Sequence, residues 1–127
     1  MRFLFVLVGG AIGALMRYLL SGATHQFLSK SFPWGTLCVN LVGSFFIGFL
    51  WGHFEYVTIS PNLRIFIFIG ILGGFTTFSS FALESLRLFQ DGEISHALSN
   101  VLVSNLLGLL LVFLGMAIAR YLFGLLS

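Results

Sequence analysis

Charge is almost missing from this sequence. Of 127 residues, six are Lys or Arg and four are Asp or Glu. Charged residues make up 8% of the chain, where soluble domains run near 25%. That deficit excludes an ordinary soluble fold. A net charge of +2, with the basic residues scattered, excludes a nucleic-acid surface. Cysteine is nearly absent as well. Cys38 stands alone, so an intrachain disulfide and a cysteine metal cluster are both excluded. Its ordinary role is a small buried side chain. Proline occurs twice, at Pro33 and Pro61, and both fall between long apolar runs. The three histidines, His25, His53 and His96, lie in or near three different links without metal-like spacing. There is no phosphate loop and no nucleophile–base pair, so nothing here reads as an enzyme.

Apolar residues fill the space that charge leaves. They make up 58% of the chain, with a mean hydropathy of +1.07. A hydrocarbon layer about 30 Å thick needs about 20 apolar residues per helix. Four segments meet this: Phe3 to Gly22, Gly35 to Phe54, Leu63 to Phe89 and Ala97 to Phe123. The first reads as a retained span and not as a cleavable leader, because it runs into GGAIGALMRYLL without a cleavage site. The links between spans are short, so residues 1–127 read as one all-α transmembrane domain of antiparallel neighbours.

The third segment is long and contains GGFTTFSSF, Gly73 to Phe81. Glycine commonly follows a helix end, and threonine commonly caps a helix start. The expectation is a helix broken at mid-membrane, capped anew by Thr76 or Thr77. Freed backbone at that depth is tolerated only inside protein or along a cavity.

Each span has one face unlike lipid. In the first, Gly9, Gly13 and Arg17 recur at fours. Arg17 reads either as a snorkelling interfacial side chain or as a vestibule charge that attracts anions. In the second, Thr36, Asn40, Ser44, Gly48 and Gly52 recur at fours. Asn40 reads either as a helix–helix hydrogen bond or as a donor on a polar path. In the fourth, Asn100, Ser104, Gly108, Gly115 and Ala119 form a similar stripe. In the third, Phe78, Phe81, Glu84 and Arg87 follow at threes, which reads as aromatic packing and an interfacial Glu84–Arg87 pair, or as a functional face. The GxxxG matches at Gly9, Gly48 and Gly70 are weak signals one by one.

Four spans put both termini on one side. That side carries Arg2, Arg64 and Arg120, and the other carries Arg17, Lys30 and Arg87. Orientation normally follows an excess of Lys and Arg on the cytoplasmic side. With three against three, both orientations are expected, and two opposed copies would pair about a twofold axis in the membrane plane.

Over its whole length the chain resembles the Fluc fluoride channels, also called CrcB proteins. The motifs are GGAIGALMRY (Gly9 to Tyr18), GTLCVNLVGSFFIG (Gly35 to Gly48) and GGFTTFSSFALE (Gly73 to Glu84). The resemblance implies an antiparallel, dual-topology homodimer in the bacterial inner membrane. It implies two pores that pass fluoride passively and exclude chloride. It implies that Asn40 is the pore amide, that Phe78 and Phe81 are the pore aromatics, and that Ser79, Ser80 and Ser104 line the path. Arg17 and Glu84 would then be charges at its mouth. It also implies a structural sodium ion on the dimer axis, held by backbone carbonyls, here Gly73 and Thr76. The family often carries a second hydroxyl one turn beyond Ser104; this chain has Gly108 there. Two rival readings remain. A small dual-topology exporter of cationic drugs would want a mid-membrane carboxylate, and the four acidic residues lie at or near span ends. A non-transporting assembly subunit leaves the serine and phenylalanine block without a use.

Overall fold

The computed structural model describes residues 1–127 and is all-helical. Four helical stretches are long and apolar enough to cross a membrane: Arg2–Phe27, Trp34–His53, Pro61–Gln90 and Ile94–Gly124. The first two are single helices, α1 (Arg2–Phe27) and α2 (Trp34–His53). The third is composite. It starts with α3 (Pro61–Arg64), where Ser60 accepts a hydrogen bond from the Leu63 amide at 3.2 Å and Pro61 takes the first turn. It continues through a π-helical stretch, Ile65–Leu72, into the short turn α4 (Gly73–Phe75). Thr76 and Thr77 are extended, and helix resumes as α5 (Phe78–Gln90). The fourth is α6 (Ile94–Gly124).

The turn from α5 to α6 follows from its sequence, QDGE. Gly92 takes φ +78°, a left-handed conformation that suits glycine. The Gly92 amide donates to the Phe89 carbonyl at 3.2 Å, and the Glu93 amide to the Leu88 carbonyl at 2.8 Å. These are the two bonds that close a helix end around a glycine.

Packing divides the molecule into two layers. α1 lies against residues 65–75, and α2 lies against α6. The small-residue stripes are the contact lines. A methyl group at Gly9 would sit 2.6 Å from the Phe66 carbonyl oxygen, and one at Gly48 would strike the Val112 carbonyl. Gly70 meets Gly9, Gly74 meets Gly10, and Gly52 meets Met116. All three GxxxG pairs thus stand at backbone-to-backbone approaches, where dispersion between close helices takes over the part the hydrophobic effect plays in water. Gly48→Ala is expected to push α2 off α6 and cost about 1–3 kcal/mol. Thermal unfolding in detergent measures it; an unchanged midpoint would mean the two helices slide apart freely.

At the end that carries both termini, Glu55 accepts from the Arg120 Nε and Nη2, both at 2.8 Å. This two-pronged pair ties the end of α2 to the end of α6 and holds the Glu55 carboxyl below its usual range.

Candidate functional site

The site is built around the two extended threonines. They play different parts. The Thr77 hydroxyl oxygen accepts from the Ser80 amide at 3.3 Å and caps α5. Thr76 caps nothing; its hydroxyl donates back to the Leu72 carbonyl at 3.0 Å.

Asn40, on α2, reaches across to this interruption. Its Nδ2 donates to the Thr77 carbonyl at 2.9 Å, and its Oδ1 accepts from the Thr77 amide at 2.8 Å. One side chain therefore satisfies both backbone groups of a residue that no helix can serve. The expected helix–helix hydrogen bond is there, made to backbone and made twice. It does not exhaust the amide, which carries two N–H groups and a second lone pair. Ser44 donates to the Asn40 carbonyl at 2.7 Å, one turn along.

The clasp has a second effect. A continuous helix would give the Thr77 amide to the Gly73 carbonyl and the Ser80 amide to the Thr76 carbonyl. Asn40 and Thr77 take those two donors instead. The Gly73 and Thr76 carbonyls are thereby released from helical bonding.

Two cavities with polar side chains set in apolar walls meet at Thr77. The larger, about 810 Å³, is lined by Arg17, His25, Thr36, Thr77, Ser80 and Glu84 among others. The smaller, about 310 Å³, is lined by Asn40, Ser44, Gly73, Thr76, Thr77 and Phe78 among others. Within the subunit Arg17 has no ion-pair partner. Glu84 accepts from the Thr36 hydroxyl at 2.8 Å, and its other carboxylate oxygen is buried without a partner. The anticipated Glu84–Arg87 pair does not form, because Glu84 turns inward to Thr36 while Arg87 stays exposed. Threonine 36 was visible as part of a stripe, but nothing in the spacing named its partner.

Phe78 is 77% exposed in the single subunit, and Phe81 is half-buried. Their rings lie 5.5 Å apart, tilted by 51°. Ser79 is exposed. Ser80 takes a hydrogen bond from the Thr77 hydroxyl at 3.1 Å. Ser104 lines neither cavity; it donates to Asn100 Oδ1 at 3.4 Å. Asn100, 1% exposed, donates to the Ser85 hydroxyl at 2.9 Å, which donates in turn to the Phe81 carbonyl at 2.8 Å. This relay fastens α6 to α5 at the Phe81 backbone. Ser85 carried no sequence signal of its own.

The family described as "CrcB-like protein, Camphor Resistance (CrcB)" matches residues 4–116. A protein of Parabacteroides distasonis named "Fluoride-specific ion channel FluC" is 49% identical over 115 residues, covering 91% of this chain and 90% of its own. Proteins of the same name from Salinibacter ruber and Magnetococcus marinus are each 48% identical. They cover 98% and 94% of this chain, and 93% and 98% of their own. With a family match over most of its length and relatives identical at nearly half their positions, the chain belongs to the CrcB family.

Proposed function

We propose that this protein is a passive fluoride channel of the bacterial inner membrane, working as an antiparallel homodimer. The observation that carries the proposal is the interruption at Thr76–Thr77, clasped by Asn40, with Thr77 on the wall of two cavities that both carry polar side chains. The relatives' names supply the ion. The interruption would lie at mid-membrane, where irregular backbone needs protein or a cavity around it.

Fluoride is small and holds its water tightly, so a path for it must offer strong donors. Arg17 in the larger cavity supplies a positive charge that is not tied up in an ion pair inside the subunit. Ser80 and Thr77 supply hydroxyls at the start of α5, whose first amides form a positive dipole end. Asn40 supplies its remaining N–H. Phenylalanine edges carry partial positive charge and serve an anion where no dipole is left. Ser79 and Ser104 would extend the polar track, Ser104 from behind through Asn100.

A second copy of the chain fits the exposed half of the site. Phe78 and Ser79 face outward from the single subunit, and the Asn40 cavity opens beside them. The three-against-three basic count favours opposed orientations of the two copies. At their junction the released Gly73 and Thr76 carbonyls match the oxygen donors that a hard cation such as sodium prefers. Sodium bound there would be structural, holding the junction together.

Fluoride efflux from proteoliposomes, driven by a potassium gradient and an ionophore, tests the channel. Flux of fluoride far above chloride is expected, and its absence would sink the proposal. The drug-exporter alternative draws on one observation, the unpartnered oxygen of Glu84. It predicts proton-coupled uptake of a cationic dye in the same vesicles. Orientation is tested separately. A C-terminal tag is expected on both sides of the membrane in comparable amounts. Two or three lysines added to one link should bias insertion and stop flux, and an oppositely biased copy should restore it. A single orientation of the unmodified chain would remove the antiparallel pair.

A further inference from the structure

We propose that His25 is a second capture residue for the anion, sharing the larger cavity with Arg17, and that its protonation sets how well the channel works when fluoride is scarce. The proposal rests on the channel reading above.

Three observations place His25 there. It lines the 810 Å³ cavity together with Arg17, Thr77 and Ser80, so it shares one space with the start of the proposed path. It stands two turns beyond Arg17 on α1, on the side where the cavity meets the link to α2. Its Nε2 lies against Gly35, the second residue of α2; a methyl group there would sit 3.1 Å from Nε2 and 2.6 Å from the Ser21 hydroxyl. Glycine at position 35 therefore leaves the imidazole room to lean over the cavity. His25 forms no hydrogen bond or ion pair that would commit its ring elsewhere.

The other ionisable groups facing this space are few. α1 contributes Arg17 and Tyr18, α5 contributes Glu84, and α2 contributes none. Arginine is cationic and tyrosine neutral throughout the physiological range. Histidine is the side chain whose charge changes between about pH 5 and 8. Adding one positive charge beside Arg17 raises the local concentration of a small anion. Removing it leaves Arg17 alone against the Glu84 carboxylate. The effect belongs to capture and not to the narrow part of the path. It should appear at low fluoride, fade at saturating fluoride, and weaken as salt screens the cavity.

The test is fluoride flux in proteoliposomes from about pH 5.5 to 8, with fluoride below and then above half-saturation. The wild-type protein is expected to gain about twofold to fivefold in low-fluoride flux on acidification. His25→Gln should be flat at the alkaline level, and His25→Arg flat at the acid level. His53→Gln and His96→Gln should keep the wild-type profile, since neither lines the cavity. Glu84→Gln removes a carboxylate whose charge reaches His25, and should keep a gain on acidification whatever its level or midpoint. If His25→Gln retains the wild-type pH dependence, or His25→Arg does not raise alkaline flux, His25 has no capture role and the channel reading stands. If the wild-type protein carries no fluoride at any pH, the channel reading falls and takes this proposal with it.

Discussion

Asn40→Asp is expected to yield a protein that inserts and pairs but does not conduct fluoride. The substitution keeps shape and size. It replaces the Nδ2 that donates to the Thr77 carbonyl at 2.9 Å with an acceptor. Two oxygens then face each other, and the Thr77 carbonyl is left without a partner, at a cost of about 1–3 kcal/mol. The Thr77 amide still finds an acceptor, so half of the clasp survives. The larger effect falls on the anion. A negative charge about 4 Å from fluoride, in surroundings of intermediate dielectric, opposes it by about 4 kcal/mol, or about three orders of magnitude in rate. Asn40→Ala separates the two parts: it removes the clasp without adding charge. It should lose stability comparably while keeping more flux than the aspartate variant. Flux per folded dimer and thermal midpoint, measured on the same samples, decide it. An aspartate variant that conducts like the parent would confine Asn40 to fastening Thr77.

The clasp also marks the limit of what the sequence discloses. The four spans were legible because hydrocarbon admits few charges. The packing lines were legible because small residues recurred at fours, and Gly9, Gly48 and Gly70 each stand at a backbone contact. The interruption was legible as GGFTT, but its division of labour was not. Either threonine suits a cap, and only the path of the backbone gives that task to Thr77. Partners distant in sequence left no periodic trace. Asn40 and Thr77 are 37 residues apart, and Thr36 and Glu84 are 48 apart. Spacing drew Glu84 toward Arg87 because both share a helix; the inward turn to Thr36 depends on how α2 meets α5. The π-helical winding of Ile65–Leu72 had no signal either, since eight apolar residues suit any helical pitch. Ser85 has no sequence signal because a serine near a helix middle usually bonds its own backbone, as it does here to Phe81, and its acceptance from Asn100 needs the neighbouring helix.

The second large effect is expected at the two rings. Phe78, exposed over 77% of its surface, does little to hold a single subunit together. Phe81 has more to hold, because its side chain is half-buried. Isoleucine at either place keeps hydrophobicity and much of the volume. A packing role therefore predicts losses below about 1.5 kcal/mol and near-normal flux, smallest for Phe78→Ile. A pore role predicts a folded dimer in which fluoride flux falls about tenfold or more. An aliphatic group offers the anion no polarised edge, and about 1.4 kcal/mol less stabilisation at the narrowest point is enough for that drop. Phe78→Tyr and Phe81→Tyr keep the ring and should be milder. The pattern to look for is inversion: Phe78→Ile, the variant that costs the subunit least, should cost the current most. If both isoleucine variants fold and conduct like the parent, the rings are packing, and the block of phenylalanine and serine after the interruption has a purely structural use.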